Sequence, residues 1–157
     1  MTTFASFTTA DAKSVARQFL DNVWNLGNLD EVGENDAYRQ LVSDFRLGFP
    51  DLHLGAERVG DCIVVERVLE SDRAGSSRWT AMVRSTIRGT HGGEFLGVAA
   101  TNNPVEWSRV DVLEVASPPM SGNDRNARVL KVIDGANWDV LGVLSQIGAS
   151  AFTAVAS

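Results

Sequence analysis

Arg88-Gly-Thr-His-Gly-Gly-Glu-Phe-Leu-Gly-Val-Ala-Ala-Thr-Asn-Asn-Pro-Val-Glu-Trp107 is the stretch that decides the fold. Its glycines permit backbone angles that other residues resist, and Asn102-Asn103-Pro104 is typical of a turn. The flanking runs, 78–87 and 105–115, read as β-strands. The stretch therefore predicts two strands joined by a glycine-rich crossover. Around that pair we expect a curved sheet, with a pocket inside the curve.

The rest of the chain predicts two helices first and an antiparallel sheet afterwards. Thr8-Thr9-Ala10-Asp11 resembles a capping box, so a helix should begin there and stop at Gly27. Asn35 should cap a second helix that Pro50 ends. Further strands are expected at 52–56, 62–69 and 127–133, and a last helix at 139–147. Helices followed by a meandering sheet indicate an α+β fold.

One domain should hold all of this, with a core of about residues 9–148. We expect a loose N-terminal arm before it, a weakly determined tail after it, and exposed loops at 70–77 and 116–126.

The composition of the chain argues against several classes of function. The chain has 157 residues, a net charge of −6 and no basic block, which argues against nucleic-acid binding. No apolar run is long enough to span a membrane, and the N-terminus does not resemble a signal peptide. The single Cys62 cannot form an internal disulfide, which fits a cytoplasmic location, and its side chain is expected to be buried. Cys62, His53 and His91 are too scattered to predict a metal site.

Four segments in order resemble the SnoaL-like polyketide cyclase family, within the nuclear transport factor 2-like superfamily. Residues 19–30 are similar to the family's first helix and its exit, and 45–52 to its "F-x-x-x-F-P-D-L" motif. Residues 89–98 are similar to "G-T-H-x-G-E-F-x-G-I", and 138–148 to "W-D-x-x-G-L-L-x-Q-L-G". Together the four segments cover most of the chain, and they are more specific for the fold than for a reaction.

The resemblance implies a cone-shaped α+β barrel in which helices cap a strongly bent sheet and an apolar cavity opens at one end. It also implies a homodimer formed through the outer face of the sheet. Cyclases of the family close a ring by intramolecular aldol condensation without a cofactor. Other members of the superfamily are isomerases, epoxide hydrolases or binding domains.

Besides having two longer hairpins, at 69–78 and 116–127, the sequence departs from the family pattern in two places. Val32-Gly33-Glu34-Asn35 leaves no room for the short strand that usually separates the two helices. Val98-Ala99-Ala100-Thr101 replaces a proline-containing turn. The first departure leaves one wall of the pocket in doubt and weakens the case for catalysis.

Three residues are candidates for acid–base chemistry, each with a structural alternative. Asp111 matches the family's cavity-facing position on the penultimate strand, but it can also pair with Arg109 on the same strand face. Asp134 aligns with the family's acid/base Asp when a short gap is allowed, whereas Asp134-Gly135 also resembles a turn. Asp139 is the weaker alternative, because it can cap the last helix. His91 is either a substrate contact or a hydrogen-bonding partner for the crossover backbone.

A second group of residues is expected to line the pocket and bind substrate, although a core role is the simpler reading for its aromatic members. This group comprises Trp24, Tyr38, Phe45, Trp107, Arg109 and Trp138. Arg84 is expected either to bind an anionic group or to lie on a dimer face.

These observations favour a cofactor-independent cyclase or isomerase that acts on a small hydrophobic carbonyl compound. Asp111 and Asp134 would share proton transfer, with aromatic residues holding the substrate. The alternative is a non-catalytic binding or interaction module on the same fold. An epoxide hydrolase would need an Asp-Arg-Asp constellation, of which only Arg109 and Asp111 are evident. An enzyme should show two converging titratable groups, and a binding module an apolar or sealed cavity.

Overall fold

The architecture of the described residues is three α-helices and five strands in an α+β arrangement. It is taken from a computed structural model that describes residues 7–55, 62–67, 78–117 and 127–148. The order along the chain is α1 (Thr9–Leu20), α2 (Asp36–Gly48), β1 (His53–Gly55), β2 (Cys62–Arg67), β3 (Arg78–Thr90), β4 (Pro104–Ala116), β5 (Arg128–Trp138) and α3 (Val140–Gln146).

The first helix has both predicted ends. Thr8 and Asp11 form a reciprocal capping box, and Gly27 takes a left-handed backbone angle of φ +72° after the helix. Between them the helix widens into a π-helical turn, Asp21–Asn25, which carries the fully buried Trp24. Such turns are rare and often occur at functional sites.

The second helix follows almost directly. A 3₁₀ turn, Leu29–Val32, leads to Asn35, whose side chain accepts a hydrogen bond from the Tyr38 amide at 3.0 Å and caps α2. Every residue from 21 to 35 is described, and none of them is in a strand. The predicted loss of the family's inter-helix strand is therefore confirmed.

The sheet is built on the predicted pair of long strands. β3 and β4 are antiparallel and in continuous register from Arg78↔Ala116 to Thr90↔Pro104. β1 and β2 pair with two parts of the other edge of β3, and β5 pairs with β4. In the described part of the chain β5 pairs with β4 alone, so the sheet is curled but not closed into a barrel.

The last strand differs from its prediction. We expected it to end at Ile133, with a turn at Asp134-Gly135 as one possibility, but β5 runs on to Trp138. Its register with β4 shifts at three places, where extra residues are accommodated in β5. As a result, its core-facing residues recur every third position rather than every second. They are Val129, Val132, Gly135 and Trp138.

The core lies between the helices and the concave face of this sheet. It is centred on α2, whose predicted apolar face buries Tyr38, Val42 and Phe45, with Phe49 just beyond the helix end. α3 is capped by Asp139, whose carboxylate accepts a hydrogen bond from the Gly142 amide at 2.9 Å. The capping alternative for Asp139 is thus confirmed.

Some predictions fall outside the described residues. These concern the N-terminal arm, the loops at 70–77 and 118–126, the C-terminal tail and the burial of the Cys62 side chain.

Candidate functional site

Asp111 lies at the centre of a hydrogen-bonded network under the helices. Arg109 Nη2 donates to Asp111 Oδ1 at 2.7 Å, and Arg109 Nε donates to Oδ2 at 3.1 Å. The Tyr38 hydroxyl donates to Oδ1 at 2.9 Å and accepts a hydrogen bond from Trp24 Nε1, also at 2.9 Å. We call these four residues, Trp24, Tyr38, Arg109 and Asp111, the carboxylate network.

Three separate elements bring the network together. Arg109 and Asp111 are two apart on β4, so both side chains point to the concave face. Tyr38 comes from the first turn of α2, and Trp24 from the π-helical turn after α1. Arg109 Cζ lies 4.3 Å from the centroid of the Trp24 ring, which places the guanidinium in cation–π contact.

The whole network is excluded from water. Arg109 is 1% exposed, Asp111 and Trp24 are 0% exposed, and Tyr38 is 4% exposed. A buried charge is costly unless it is paired and hydrogen-bonded, and the two-point Arg–Asp contact meets that condition. The ion-pair alternative given for Asp111 is therefore what the structure contains.

Burial also changes proton affinities in the network. Burial, and next the neighbouring Asp111 charge, raise the pKa of the Tyr38 phenol well above its usual range. Burial lowers the pKa of the Arg109 guanidinium, but the hydrogen bonds and charge of Asp111 outweigh it, so the net pKa is raised. Tyr38 is accordingly a neutral hydrogen-bond donor and Arg109 a permanent cation at physiological pH.

Two polar atoms in the network can each form a further hydrogen bond. Asp111 Oδ2 accepts only the 3.1 Å bond from Arg109 Nε among the described residues. Arg109 Nη1 is buried and has no hydrogen-bond partner among them either. A lightly engaged carboxylate oxygen and an unused donor thus belong to one ion pair.

Gly135 closes the network on the β5 side. Its carbonyl oxygen accepts a hydrogen bond from Arg109 Nη2 at 2.5 Å. A Cβ atom at position 135 would overlap the Tyr38 ring, so only glycine fits against this tyrosine. The β5 residue that accepts this hydrogen bond from Arg109 therefore carries no side chain.

The second predicted carboxylate is not part of this site. Asp134 is exposed, because the register shifts in β5 turn Gly135, and not Asp134, toward the core. In the described part of the chain Arg109 has an Asp on one side only, so the Asp-Arg-Asp constellation of an epoxide hydrolase is incomplete.

His91 lies in the crossover and bonds to it. Its Nδ1 accepts a hydrogen bond from the Thr101 amide at 3.2 Å and lies 2.9 Å from Thr101 Oγ1. This pattern assigns the proton of the neutral ring to Nε2, which is buried and has no partner among the described residues. His91 packs on Phe49, with ring centroids 5.6 Å apart. The structure therefore shows His91 in contact with the crossover backbone, as its alternative role required.

The remaining predicted pocket residues meet around Phe45. Its ring centroid lies 4.8 Å from Trp138, 5.0 Å from Trp107 and 5.7 Å from Trp24. These rings fill much of the space beneath α2, where the sequence predicted a hollow. Arg84 is exposed on the convex face of the sheet and is not part of this cluster.

Comparison with known proteins identifies the family. A sequence profile of SnoaL-like polyketide cyclases matches residues 34–117, the segment that contains Tyr38, Arg109 and Asp111. The chain belongs to the SnoaL-like polyketide cyclase family. No curated protein sequence matches it.

Solved structures agree on the SnoaL-like fold. AclR from Streptomyces galilaeus, provisionally assigned as a hydroxylase, is 19% identical with a TM-score of 0.58, over 96% of this chain and 95% of AclR. TsrD from Streptomyces laurentii is 19% identical with a TM-score of 0.53, over 92% and 99% of the two chains. A provisionally assigned polyketide cyclase from Acidithiobacillus ferrooxidans is also 19% identical, with a TM-score of 0.50 over 94% and 100%. At this identity the likeness concerns the fold.

Two features are absent from the described part of this SnoaL-like protein. No group of three or more His, Cys, Asp or Glu side chains placed to hold a metal occurs among the described residues. None of the described helices is long and apolar enough to cross a membrane.

Proposed function

We propose that this protein is a cofactor-independent acid–base enzyme that acts on a small hydrophobic, polyketide-like carbonyl compound, with Asp111 as the proton-transferring group. The observation that carries the proposal is a fully buried carboxylate, set among aromatic rings, with one lightly engaged oxygen. Membership of a polyketide cyclase family supports the same class of reaction.

The chemistry requires little else. Asp111 Oδ2 removes a proton from the carbon beside a carbonyl group, and the resulting enolate attacks a second carbonyl of the same molecule. A carbon–carbon bond forms, and the protonated carboxyl returns its proton to the new alkoxide. No atom is lost or gained in this aldol closure. Arg109 and Tyr38 hold Asp111 in one orientation throughout.

Substrate access requires the helical cap to open, because the network is closed to water. We place the opening at the seam between α2 and β5, where the Tyr38 ring lies against Gly135 and position 135 has no side chain. Lid and loop motions of this kind commonly precede catalysis.

Proton exchange tests the proposal without knowledge of the natural substrate. The protein is incubated in D2O with 2-tetralone and with 1-indanone, and loss of the signal of the α-protons is followed by proton NMR. We expect the wild-type protein to accelerate exchange above the buffer rate, and Asp111→Asn to abolish that acceleration. An Asp111→Asn variant that exchanges protons as fast as the wild type would remove Asp111 from the mechanism.

Asp134→Asn is the informative comparison in the same assay. The sequence predicts shared proton transfer by Asp111 and Asp134, whereas Asp134 is exposed outside the network. We therefore expect Asp134→Asn to keep the wild-type exchange rate. A loss as large as that of Asp111→Asn would restore the two-carboxylate mechanism.

A second candidate is a non-catalytic binding module on the same fold. It is favoured by the tight packing around Phe45 and by the two-point neutralisation of Asp111. It predicts that flat ketones bind, as measured by calorimetry, while their α-protons do not exchange faster than in buffer.

We also propose that the protein forms a homodimer through the convex face of the sheet. Met82 and Ile133 are 47% and 50% exposed on that face, next to the half-buried Val110 and Val112. Such a surface is typical of an interface. A cytoplasmic location remains a prediction from the sequence.

A further inference from the structure

The unused nitrogen of Arg109 is the least explained polar atom of the carboxylate network. Nε and Nη2 are engaged with Asp111 and with the Gly135 carbonyl oxygen, whereas Nη1 has no partner among the described residues. The side chain is 0% exposed. A buried donor of a charged group costs free energy when it is left unpaired, so an acceptor is expected at Nη1.

The surroundings of Arg109 restrict what that acceptor belongs to. The guanidinium lies over the Trp24 ring, and the residue opposite Arg109 on β5 is Trp138, whose side chain faces the same core. Trp138 in turn packs edge-on against Phe45. The guanidinium therefore lies among flat aromatic rings, and this setting favours a planar, apolar ligand that carries one strongly accepting oxygen.

We infer that Arg109 Nη1 is the donor for the substrate's carbonyl oxygen, which becomes the enolate oxygen during the reaction. This inference rests on the proposed function. When Asp111 Oδ2 removes the α-proton, negative charge develops on the substrate's carbonyl oxygen. The preformed cationic donor, Arg109 Nη1, stabilises that charge. Because the guanidinium is rigid and planar, its contact with Asp111 fixes donor and base relative to each other. Arg109 thus acts on the reacting atoms as well as orienting Asp111.

An enolate mimic tests the inference by binding alone. The anion of 2-acetyl-1,3-indandione is a planar enolate, and neutral 1-indanone is its matched control. Affinities are measured by calorimetry for the wild type, for Asp111→Asn and for the double variant Arg109→Gln/Asp111→Asn. The double variant removes the positive charge without leaving Asp111 buried and uncompensated.

We expect Asp111→Asn to bind the enolate anion several-fold more tightly than the wild type, because a like charge has been removed. The double variant should bind the anion at least about tenfold more weakly than Asp111→Asn, since charge-assisted hydrogen bonds are the strong ones. Affinity for 1-indanone should change less than affinity for the anion, because a neutral carbonyl oxygen is a weaker acceptor than an enolate oxygen. Equal affinity of Asp111→Asn and the double variant for the anion would overturn the inference.

The outcome separates this inference from the proposed function. Anion binding that depends on Arg109, in a wild-type protein that does not accelerate exchange, supports the donor role and removes the acid–base enzyme. If the wild-type protein accelerates exchange but binds the anion independently of Arg109, the acid–base enzyme is supported and the donor role of Arg109 is removed. If circular dichroism shows that the double variant is unfolded, Arg109→Lys/Asp111→Asn replaces it. That variant keeps the positive charge but lacks the planar guanidinium. If it binds the anion as tightly as Asp111→Asn does, the inference is again overturned.

Discussion

Tyr38 offers a direct optical test of the buried network at the scale of a single residue. It is the only tyrosine in the chain, so any tyrosinate absorbance in the near ultraviolet reports on it. Burial and the Asp111 charge raise its pKa, so the native phenol should remain protonated well beyond its ordinary pKa of about 10. A titration of the native protein should therefore show no tyrosinate until the chain unfolds.

The raised pKa of Tyr38 also determines whether the folded protein gains or loses stability at alkaline pH. The folded state holds the phenol proton more tightly than the unfolded state does. This contribution to stability is therefore complete below the unfolded pKa of about 10 and is lost as the pH rises above it. Tyr38→Phe should flatten that part of the stability curve in urea titrations. A normal tyrosinate titration in the folded protein would show that Tyr38 is not buried against a carboxylate.

The Arg109–Asp111 pair predicts a strongly non-additive mutant cycle. Removing either partner alone leaves a buried, uncompensated charge, so Asp111→Leu or Arg109→Met should each lower the free energy of unfolding by about 3–5 kcal/mol. Arg109→Met/Asp111→Leu removes both charges and should cost much less than the sum of the singles. Urea denaturation measures all four proteins, and additive losses would contradict the ion pair.

At this scale the sequence predicted part of the site. Arg109 and Asp111 are two apart on one strand, so their shared face and their pairing followed from the spacing. The hydrogen bond between Tyr38 and Asp111 joins residues 73 positions apart, and no local pattern indicates it. The unpartnered Arg109 Nη1 likewise follows only from the packing around it.

The crossover provides a prediction at the scale of an element. The Gly93 amide donates to the Gly48 carbonyl oxygen at 3.1 Å, and a Cβ at position 93 would overlap the Leu47 carbonyl oxygen. Gly93→Ala should therefore push the crossover away from the end of α2 and cost about 1–3 kcal/mol. The neighbouring Gly92→Ala is the control, because its Cβ would meet only ordinary contacts beyond 3.4 Å. Equal melting temperatures of the two variants would contradict this close approach.

Element boundaries were predicted well where a chemical signal marks them. The capping residues Thr8, Asn35 and Asp139 predicted where the three helices begin. Each of these side chains accepts the expected hydrogen bond from a backbone amide of its helix. β5 carries no such signal. Its three register shifts replace the two-residue period with a spacing of three, and this change of phase is why Asp134, which aligns with the family's acid/base Asp, is exposed.

At the scale of the whole molecule, we predict a homodimer formed through the convex face of the sheet. If the convex face is the interface, a charge at Met82 should disrupt it, since charged residues are depleted at interface cores. Light scattering after size-exclusion chromatography should give a dimer for the wild type and a monomer for Met82→Glu. Leu47→Glu is the matched control, because Leu47 is an exposed apolar residue on α2, away from the sheet. A monomeric wild type, or a Leu47→Glu variant that also dissociates, would contradict the proposed interface.

The contact between Gly135 and Tyr38 constrains the order in which this protein can acquire a second acid. Gly135→Asp alone would force a side chain into the tyrosine ring, so that change is blocked in the present background. Once position 38 carries a small residue, the same substitution places a carboxylate beside Arg109. The two positions are thus epistatic, and only the path that changes Tyr38 first leads to a two-carboxylate centre on this scaffold.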